Sequence, residues 1–465
     1  MIKKYFGNKA FYALLFSIAV PIMLQNGITN FVNLLDNIMV GSIGQNQMSG
    51  VSVTNQLIFV FNLCLFGAVS GIGIYTAQFY GKGDNDGLRH SLCFKIIIST
   101  IIAILGIVLF LAAGDLLINV YLTGEGTTED IAVAFDSAKT YLLIMLVGLI
   151  PFAFTQAYSS TLRESGETVL PMKAGIIAVL VNLVGNFILI YGIDVYYIPF
   201  KIPRLGIAGA AIATVLSRFV EAAIVIIWTH THKEKCPYAK NLLSGFKIPL
   251  PLAKNMLSKA IPLMFNELLW STGVAFTNQC YSVRGLDVVA ANNICQTFFN
   301  VVSVVFIAGG NAIGIIIGNM LGAGKLDEIK ENTPRFSMFS FLSGLAVAVV
   351  CAAVAPFAPY LFDATDSVRA LATGLLLITA VTVPHNALAF SSYFIMRSGG
   401  NALVTFIFDI GFMWLVSCPT GFILSRYTSL PILWLFFIVQ GIYFIKGSLG
   451  LLLIKKDWWI KRLVD

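Results

Sequence analysis

Twelve stretches of this chain stay apolar for about 20 residues or more: roughly 11–35, 51–80, 92–113, 139–162, 169–191, 206–229, 257–283, 294–321, 337–356, 370–395, 401–424 and 431–454. About 20 apolar residues are what a helix needs to cross the hydrocarbon of a bilayer. A spanning segment must also satisfy its own backbone hydrogen bonds, so these runs read as helices. Composition points the same way. Of 465 residues, 57% are hydrophobic and 11% charged, against roughly 25% charged in soluble domains. There are too few charges to coat separate soluble domains, and an all-α integral membrane protein follows. Several runs exceed 25 residues, so tilts or kinks are expected. Pro21 and Pro262 are the kink candidates, since each removes a helix hydrogen bond. The start, MIKKYFGNKAFYALLF, has the look of a signal peptide. Its apolar run is too long and no small-residue cleavage site follows, so it reads as a retained first span.

Basic residues orient the spans. With the N-terminus inside, 22 of the 30 Lys and Arg fall in cytoplasmic segments and 6 outside, with Arg218 and Lys446 within spans. That bias places both termini in the cytoplasm, and the even number of spans agrees. The longest polar break is Thr229 to Asn255, THTHKEKCPYAKNLLSGFKIPLPLAKN, also on the inside. It divides the chain into an N-terminal six-helix lobe (1–229), a cytoplasmic linker (230–256) and a C-terminal six-helix lobe (257–465).

The two lobes repeat. A shift of 241 residues carries Pro21 onto Pro262, Met23 onto Met264, Gly44 onto Gly285, Gly73 onto Gly314, Gly81 onto Gly322 and Gly83 onto Gly324. Further on the shift falls to about 234, pairing Pro151 with Pro384, Arg163 with Arg397 and Gly166 with Gly400. Six spans per copy make the repeat parallel, a pseudo-two-fold about the membrane normal. Two such bundles rocking about a central cleft make a carrier. No TVGYG-like filter or acidic ring argues for a pore.

Other classes find little support. The 7 Cys form no CxxC and lie mostly in apolar runs, and the 4 His make no zinc-type spacing with them. They read as core residues, neither disulfides nor metal ligands. The formal charge of +7 sits in short loops, with no basic stripe interleaved with aromatics, so nucleic acid is not expected as a partner. GKGD and GAGK are turns rather than P-loops. No cluster of His, Asp or Cys suggests an enzyme, and no cofactor is expected.

The pattern resembles the multidrug and toxic compound extrusion family, MATE. The likeness spans nearly the whole chain. It rests on Pro21 followed by LLDNIMVG, GIYTAQFYGKGD closing the second span, RESGET after the fourth, LGIAGAAIAT opening the sixth, and the central basic linker. The resemblance implies twelve helices in two lobes, no cofactor, and efflux of bulky cationic or amphipathic compounds against inward flow of H⁺ or Na⁺.

Asp36 is the first residue expected to carry that chemistry. It stands at the far end of an apolar run with no Lys or Arg near it in sequence, and a carboxylate in lipid is costly unless used. It reads as a cation or proton site, with Na⁺ at Asp36 the one metal to consider; the family places an acid at this position. Asn182 and Asn186 share a helix face, i to i+4, and with Thr214 offer amide and hydroxyl oxygens to a cation or a proton relay. The family often has an acid at the second of those helix positions. Asn186 replaces it, which leans the reading from Na⁺ toward protons. Glu267, in PLMFNELLW, is the second lobe's acid, expected to face the cleft as a proton site or a counter-charge to cargo. Asp409 and His385 are further titratable candidates, Asp409 with Arg397 as an alternative structural partner and His385 with a packing role as its alternative. Arg218 and Glu221, i to i+3, can neutralise each other, and Lys446 is expected to snorkel. Tyr75, Gln78, Phe298, Phe299 and Phe394 are candidates to line an aromatic cleft, although with 36 Phe lipid-facing filler is the default.

The expected function is secondary active antiport. A monomer in a bacterial inner membrane would export organic cations in exchange for H⁺ or Na⁺. A lipid-linked oligosaccharide flippase is the alternative; it needs a large cationic cavity, for which few buried Lys or Arg are visible.

Overall fold

The computed structural model describes residues 4–122, 128–192, 203–362 and 364–464. Lys3 and Lys201, both counted in the orientation argument, lie outside them. The described chain is helical almost throughout, with α1 (Lys9–Gly41), α2 (Gln45–Lys82), α3 (Asn85–Leu122), α4 (Thr128–Val147), α5 (Leu149–Glu164), α6 (Val169–Tyr191) and α7 (Gly206–Thr231) in the first half. A short α8 (Leu242–Gly245) precedes α9 (Leu250–Ser282), α10 (Leu286–Gly322), α11 (Leu326–Val354), α12 (Asp366–Ser398), α13 (Ala402–Phe406), α14 (Cys418–Tyr427) and α15 (Ile432–Ile454).

Among the described residues, ten spans are long and apolar enough to cross a membrane, α13 to α14 counting as one. An eleventh is a bent pair, α4 and α5, which meet at 50°. The bend falls at Gly148, and Pro151 stands in the first turn of α5, where a missing N–H costs nothing. The sequence run 257–283 lies on α9, 33 residues long, which is not among those spans; Asn266 and Glu267 interrupt its apolar stretch. The helices α1 and α9 run on through Pro21 and Pro262 without a break.

The repeat is written in the backbone. Gly83 and Gly324 end α2 and α10 with φ of 79° and 73°. Each turn closes with the same two bonds, Gly83 N to Tyr80 O and Asp84 N to Phe79 O in one copy, Gly324 N to Leu321 O and Lys325 N to Met320 O in the other. Only glycine takes that left-handed cap without strain. Gly166 and Gly400, both at φ 84°, repeat the pattern after α5 and α12.

Two compact units emerge: Leu24–Thr76 with Asn85–Ala260, and Ile261–Asp465 together with Met1–Met23 and Ala77–Asp84. In the first, Leu57, Phe61, Leu65 and Val69 of α2 pack on Ala103 and Phe110 of α3 and on Leu142 and Leu146 of α4. In the second, Leu15, Ile18 and Ile22 of α1 join Ile313, Ile317 and Leu321 of α10 and Phe336 of α11. Outward faces are apolar too: Leu105, Val108, Leu109 and Leu111 of α3 are all more than half exposed. That is the signature of lipid as solvent.

The second unit contains a close helix crossing. A Cβ on Gly81 would lie 1.9 Å from Asn319 O, and one on Gly322 would lie 1.8 Å from Gln78 O. The two contacts are the same contact in the two copies, since each residue maps onto its counterpart by the 241-residue shift. Small residues permit such backbone approach. Gly81→Val or Gly322→Val must push backbones apart and is expected to cost at least about 1–3 kcal/mol by overpacking. Thermal unfolding in detergent checks this, with Gly27→Val, where a Cβ meets nothing within 4 Å, as the neutral comparison.

The linker is folded. Arg89 Nε donates to Tyr238 O (3.2 Å), His90 Nδ1 to Gly245 O (3.0 Å) and Cys93 Sγ to Leu242 O (3.4 Å), so 236–245 is held on the start of α3. The tail after α15 is held as well. Trp459 is 1% exposed, and Lys461 N donates to Gly399 O at 3.0 Å.

Candidate functional site

In the first unit, four of the expected residues form one hydrogen-bonded chain. On α6 the buried positions Ala174, Ala178, Asn182, Asn186 and Ile190 recur every four residues and form a single stripe. Small residues bring α7 close: Gly185 would place a Cβ 2.9 Å from that of Ala213, and Gly209 one 2.4 Å from Leu189 O. Thr214 thereby meets α6, and the Asn182 amide donates to its hydroxyl at 3.0 Å. Asn186 Nδ2 donates to Asp36 Oδ1 of α1 at 2.6 Å and approaches Asn182 Oδ1 at 3.4 Å. The Tyr141 hydroxyl of α4 hydrogen-bonds Thr214 at the other end. Sequence reasoning missed Tyr141; a lone phenol in the apolar run YLLIMLV was the available signal. The arrangement gives Asp36 a neutral amide donor and a row of oxygens leading from it, which suits holding and passing a small cation or proton.

In the second unit the acids have basic partners, and two sequence expectations change. Asp409 does not pair with Arg397. Lys446 Nζ donates to Asp409 Oδ1 at 2.5 Å, and Asn266 Nδ2 to Asp409 Oδ2 at 3.0 Å. Lys446 therefore does not snorkel. Arg397 instead stands 3.7 Å from Glu267 Oε1, to which the Tyr393 hydroxyl also donates at 3.1 Å. The packing explains the exchange. Gly273 on α9 admits Met413, a Cβ there lying 2.4 Å from Met413 Cγ, and Gly450 on α15 faces Ser392 and Phe408. Lys446, one turn before Gly450, then lies against the segment bearing Asp409. That segment is π-helical, Ile407–Gly411 followed by Met413–Ser417.

The remaining expected residues are not gathered. His385 packs edge-on against Phe444 (4.4 Å) and Phe341 (6.0 Å), a packing environment. Tyr75 is buried in the first unit. Gln78 is 0% exposed and reads the tail: its Nε2 donates to Lys461 O at 3.2 Å and its Oε1 accepts from Leu463 N at 2.7 Å. Both ends of its amide are engaged there. Phe298 packs on Phe362, Phe299 on Phe306, and Phe394 on Tyr393 beneath Arg397. A groove of about 610 Å³ within the second unit, lined by Phe11, Leu14, Met320, Glu331 and Arg335 among others, includes none of the five.

The first unit also holds charges that the sequence reading assigned to cytoplasmic segments. Lys95 is 0% exposed and donates to Glu164 of α5, to Ser160 Oγ (2.8 Å) and to Thr161 Oγ1 (3.3 Å). Gly73 makes room for it, since a Cβ there would lie 2.1 Å from Glu164 Oε1. Glu221 lies within electrostatic reach of both Arg163 and Arg218, while Arg218 also stacks over Phe152 at 4.9 Å.

A helical multi-pass membrane protein with a doubled plan and acids set inside each copy is the class that fold and site define. The MatE family model matches residues 21–188 and again 262–423, so its two matches begin on the repeat-related Pro21 and Pro262. The chain belongs to the MatE family. It is 25% identical to the probable multidrug resistance protein NorM of Thermotoga maritima, over 97% of this chain and 93% of that one. It is 24% identical to the probable multidrug resistance protein YoeA of Bacillus subtilis, over 89% and 87%. Among solved structures, a MOP superfamily transporter from Pyrococcus furiosus aligns with a TM-score of 0.84 at 20% identity, covering 95% of this chain and 94% of that one. A point mutant of the Vibrio cholerae MATE transporter VcmN gives 0.81 at 19% identity over 99% and 100%.

Proposed function

We propose that this protein is a secondary antiporter that exports cationic or amphipathic organic compounds in exchange for H⁺ or Na⁺. The observation that carries the reading is the chain Asp36–Asn186–Asn182–Thr214, joined by hydrogen bonds inside one helical unit. Asp36 binds the coupling ion, and Asn182, Asn186 and Thr214 orient it and supply further oxygens. Glu267 is the second acid: it alternates between its Arg397 partner and a proton, and serves as counter-charge to cationic cargo. Coupling arises because one site prefers different occupants in two states of the carrier. The lobes 1–229 and 257–465 rock about the folded linker, a monomer suffices, and both termini lie in the cytoplasm of a bacterial cell. The multidrug resistance names of the relatives support the cargo class.

A flippase for lipid-linked oligosaccharides is the second reading. Its attraction is that the chain buries more basic groups than expected. Lys95, Arg397 and Lys446 are each matched by an acid, however, so they do not build the cationic cavity that a diphosphate carrier needs.

Proteoliposomes given a pH gradient and a Na⁺ gradient separately test the proposal with a fluorescent organic cation. One gradient is expected to drive dye movement. If neither does, antiport is the wrong mechanism.

A further inference from the structure

The exchange proposed above makes no use of Asp409, yet its surroundings copy those of Asp36. In each case an asparagine donates its amide N–H to the carboxylate, Asn186 to Asp36 at 2.6 Å and Asn266 to Asp409 at 3.0 Å. Each of these asparagines is 1% exposed. In each, the amide oxygen is buried and has no hydrogen-bond partner. A buried acceptor left unmade costs about 1–3 kcal/mol, so two such oxygens, one beside the buried carboxylate of Asp409 and one beside the half-buried carboxylate of Asp36, call for a ligand. Carboxylate and amide oxygens are hard donors suited to a small monovalent cation or a proton.

At Asp409 a cation is already there, and it belongs to the chain. The Lys446 ammonium stands 2.5 Å from Asp409 Oδ1. Its stem lies by Phe408 and Tyr443, with Nζ 5.5 and 5.8 Å from their ring centres. Lysine is a point charge on a flexible stem, free to swing where a planar arginine fork would stay. The helix turn carrying Asp409 is π-helical, and such turns recur at functional sites because they re-aim a side chain. We propose that Asp409 and Asn266 form a monovalent-cation site whose occupant in this conformation is the tethered ammonium of Lys446. The other charged or titratable groups facing it are Tyr443 of α15, Tyr393 and Arg397 of α12, and Glu267 of α9, linked to Asp409 through Tyr393 and Asn266. Glu267 and Arg397 match each other, so removing Lys446 leaves one negative charge to be filled from solution. Under the antiport reading, on which this consequence alone rests, the tether spares the second half one coupling ion per cycle.

The test is a binding measurement and needs no transport. In an Asp36→Asn background, which silences the first site, purified Lys446→Met protein is melted in NaCl and in the chloride of a bulky organic cation, across a range of pH. The expected result is a saturable rise in melting temperature of a few degrees with Na⁺ at alkaline pH, or with protons as the pH falls. The Asp36→Asn parent shows no Na⁺ response and only the pH response that Glu267 retains, and the excess in Lys446→Met is abolished by adding Asp409→Asn. A Lys446→Met protein with no response to Na⁺ or pH beyond the parent's overturns the proposal. So does one that cannot be recovered folded even in high NaCl while the Asp409→Asn/Lys446→Met pair folds, since external cation should replace the tether. A Na⁺ response in the parent that depends on Asp409 overturns it as well, because the site would then not be filled by lysine. Loss of transport in Asp36→Asn with this binding intact leaves the two proposals separately decided.

Discussion

Asp36→Asn is expected to abolish ion-driven export while leaving the protein folded. The change is isosteric, and the Asn186 amide still finds an oxygen at position 36. What disappears is the charge. An amide cannot take up and release a proton, and it offers a cation a single neutral oxygen. The rate driven by the effective gradient should fall at least tenfold, about 1.4 kcal/mol or more in barrier terms. Melting temperature should hold or rise slightly, because burying a neutral amide is cheaper than burying a carboxylate. The split between lost transport and kept stability is the diagnostic, since a merely structural acid would lose both. Glu267→Gln should behave differently, because it strips Arg397 of its counter-charge and so costs stability as well. The Asp36→Asn/Glu267→Gln double variant is the strictest form. Full-speed pumping with intact ion dependence in that protein would falsify the coupling role of both acids.

The largest effect on folding is expected at Lys95. Its ammonium is wholly enclosed by Glu164, Ser160 and Thr161. Lys95→Met leaves the Glu164 carboxylate buried among groups that can no longer neutralise it. Breaking a buried pair from one side costs roughly 3–5 kcal/mol, a large share of the 5–15 kcal/mol that typically separates folded from unfolded protein. Little folded protein should survive extraction, read as the monodisperse fraction on size-exclusion chromatography. Lys95→Met/Glu164→Gln should recover most of it, because the pair is then replaced rather than orphaned. The coupling between the two sites measures their interaction directly. If the double variant is as unstable as the single one, Lys95 contributes packing and its charge is incidental.

Much of the architecture was readable in advance, for identifiable reasons. The spans follow from apolar run length, a local quantity. The repeat follows from glycines and prolines whose spacing is kept because the same turns and crossings are built twice; the matched φ values at Gly83 and Gly324 are its physical content. The chain from Asp36 to Thr214 was also legible. Asn182 and Asn186 share one face, and LGIAGAAIAT marks a helix small enough to pack against it. The bend at Gly148 was not legible, because the apolar run passes through it without interruption.

Hydropathy, charge bias and the 241-residue echo in this amino-acid order were enough to set the membrane class, the doubled plan and the acid at the end of the first span. Choice of partner was decided only by the packed structure. Asp409 takes Lys446 and leaves Arg397 to Glu267, Lys95 finds Glu164 across 69 positions, and Gln78 holds the tail 383 residues away. Such pairings depend on how each helix is rotated about its axis and how closely two backbones approach. Glycine contacts and a π-turn set those quantities jointly, and no single segment encodes them.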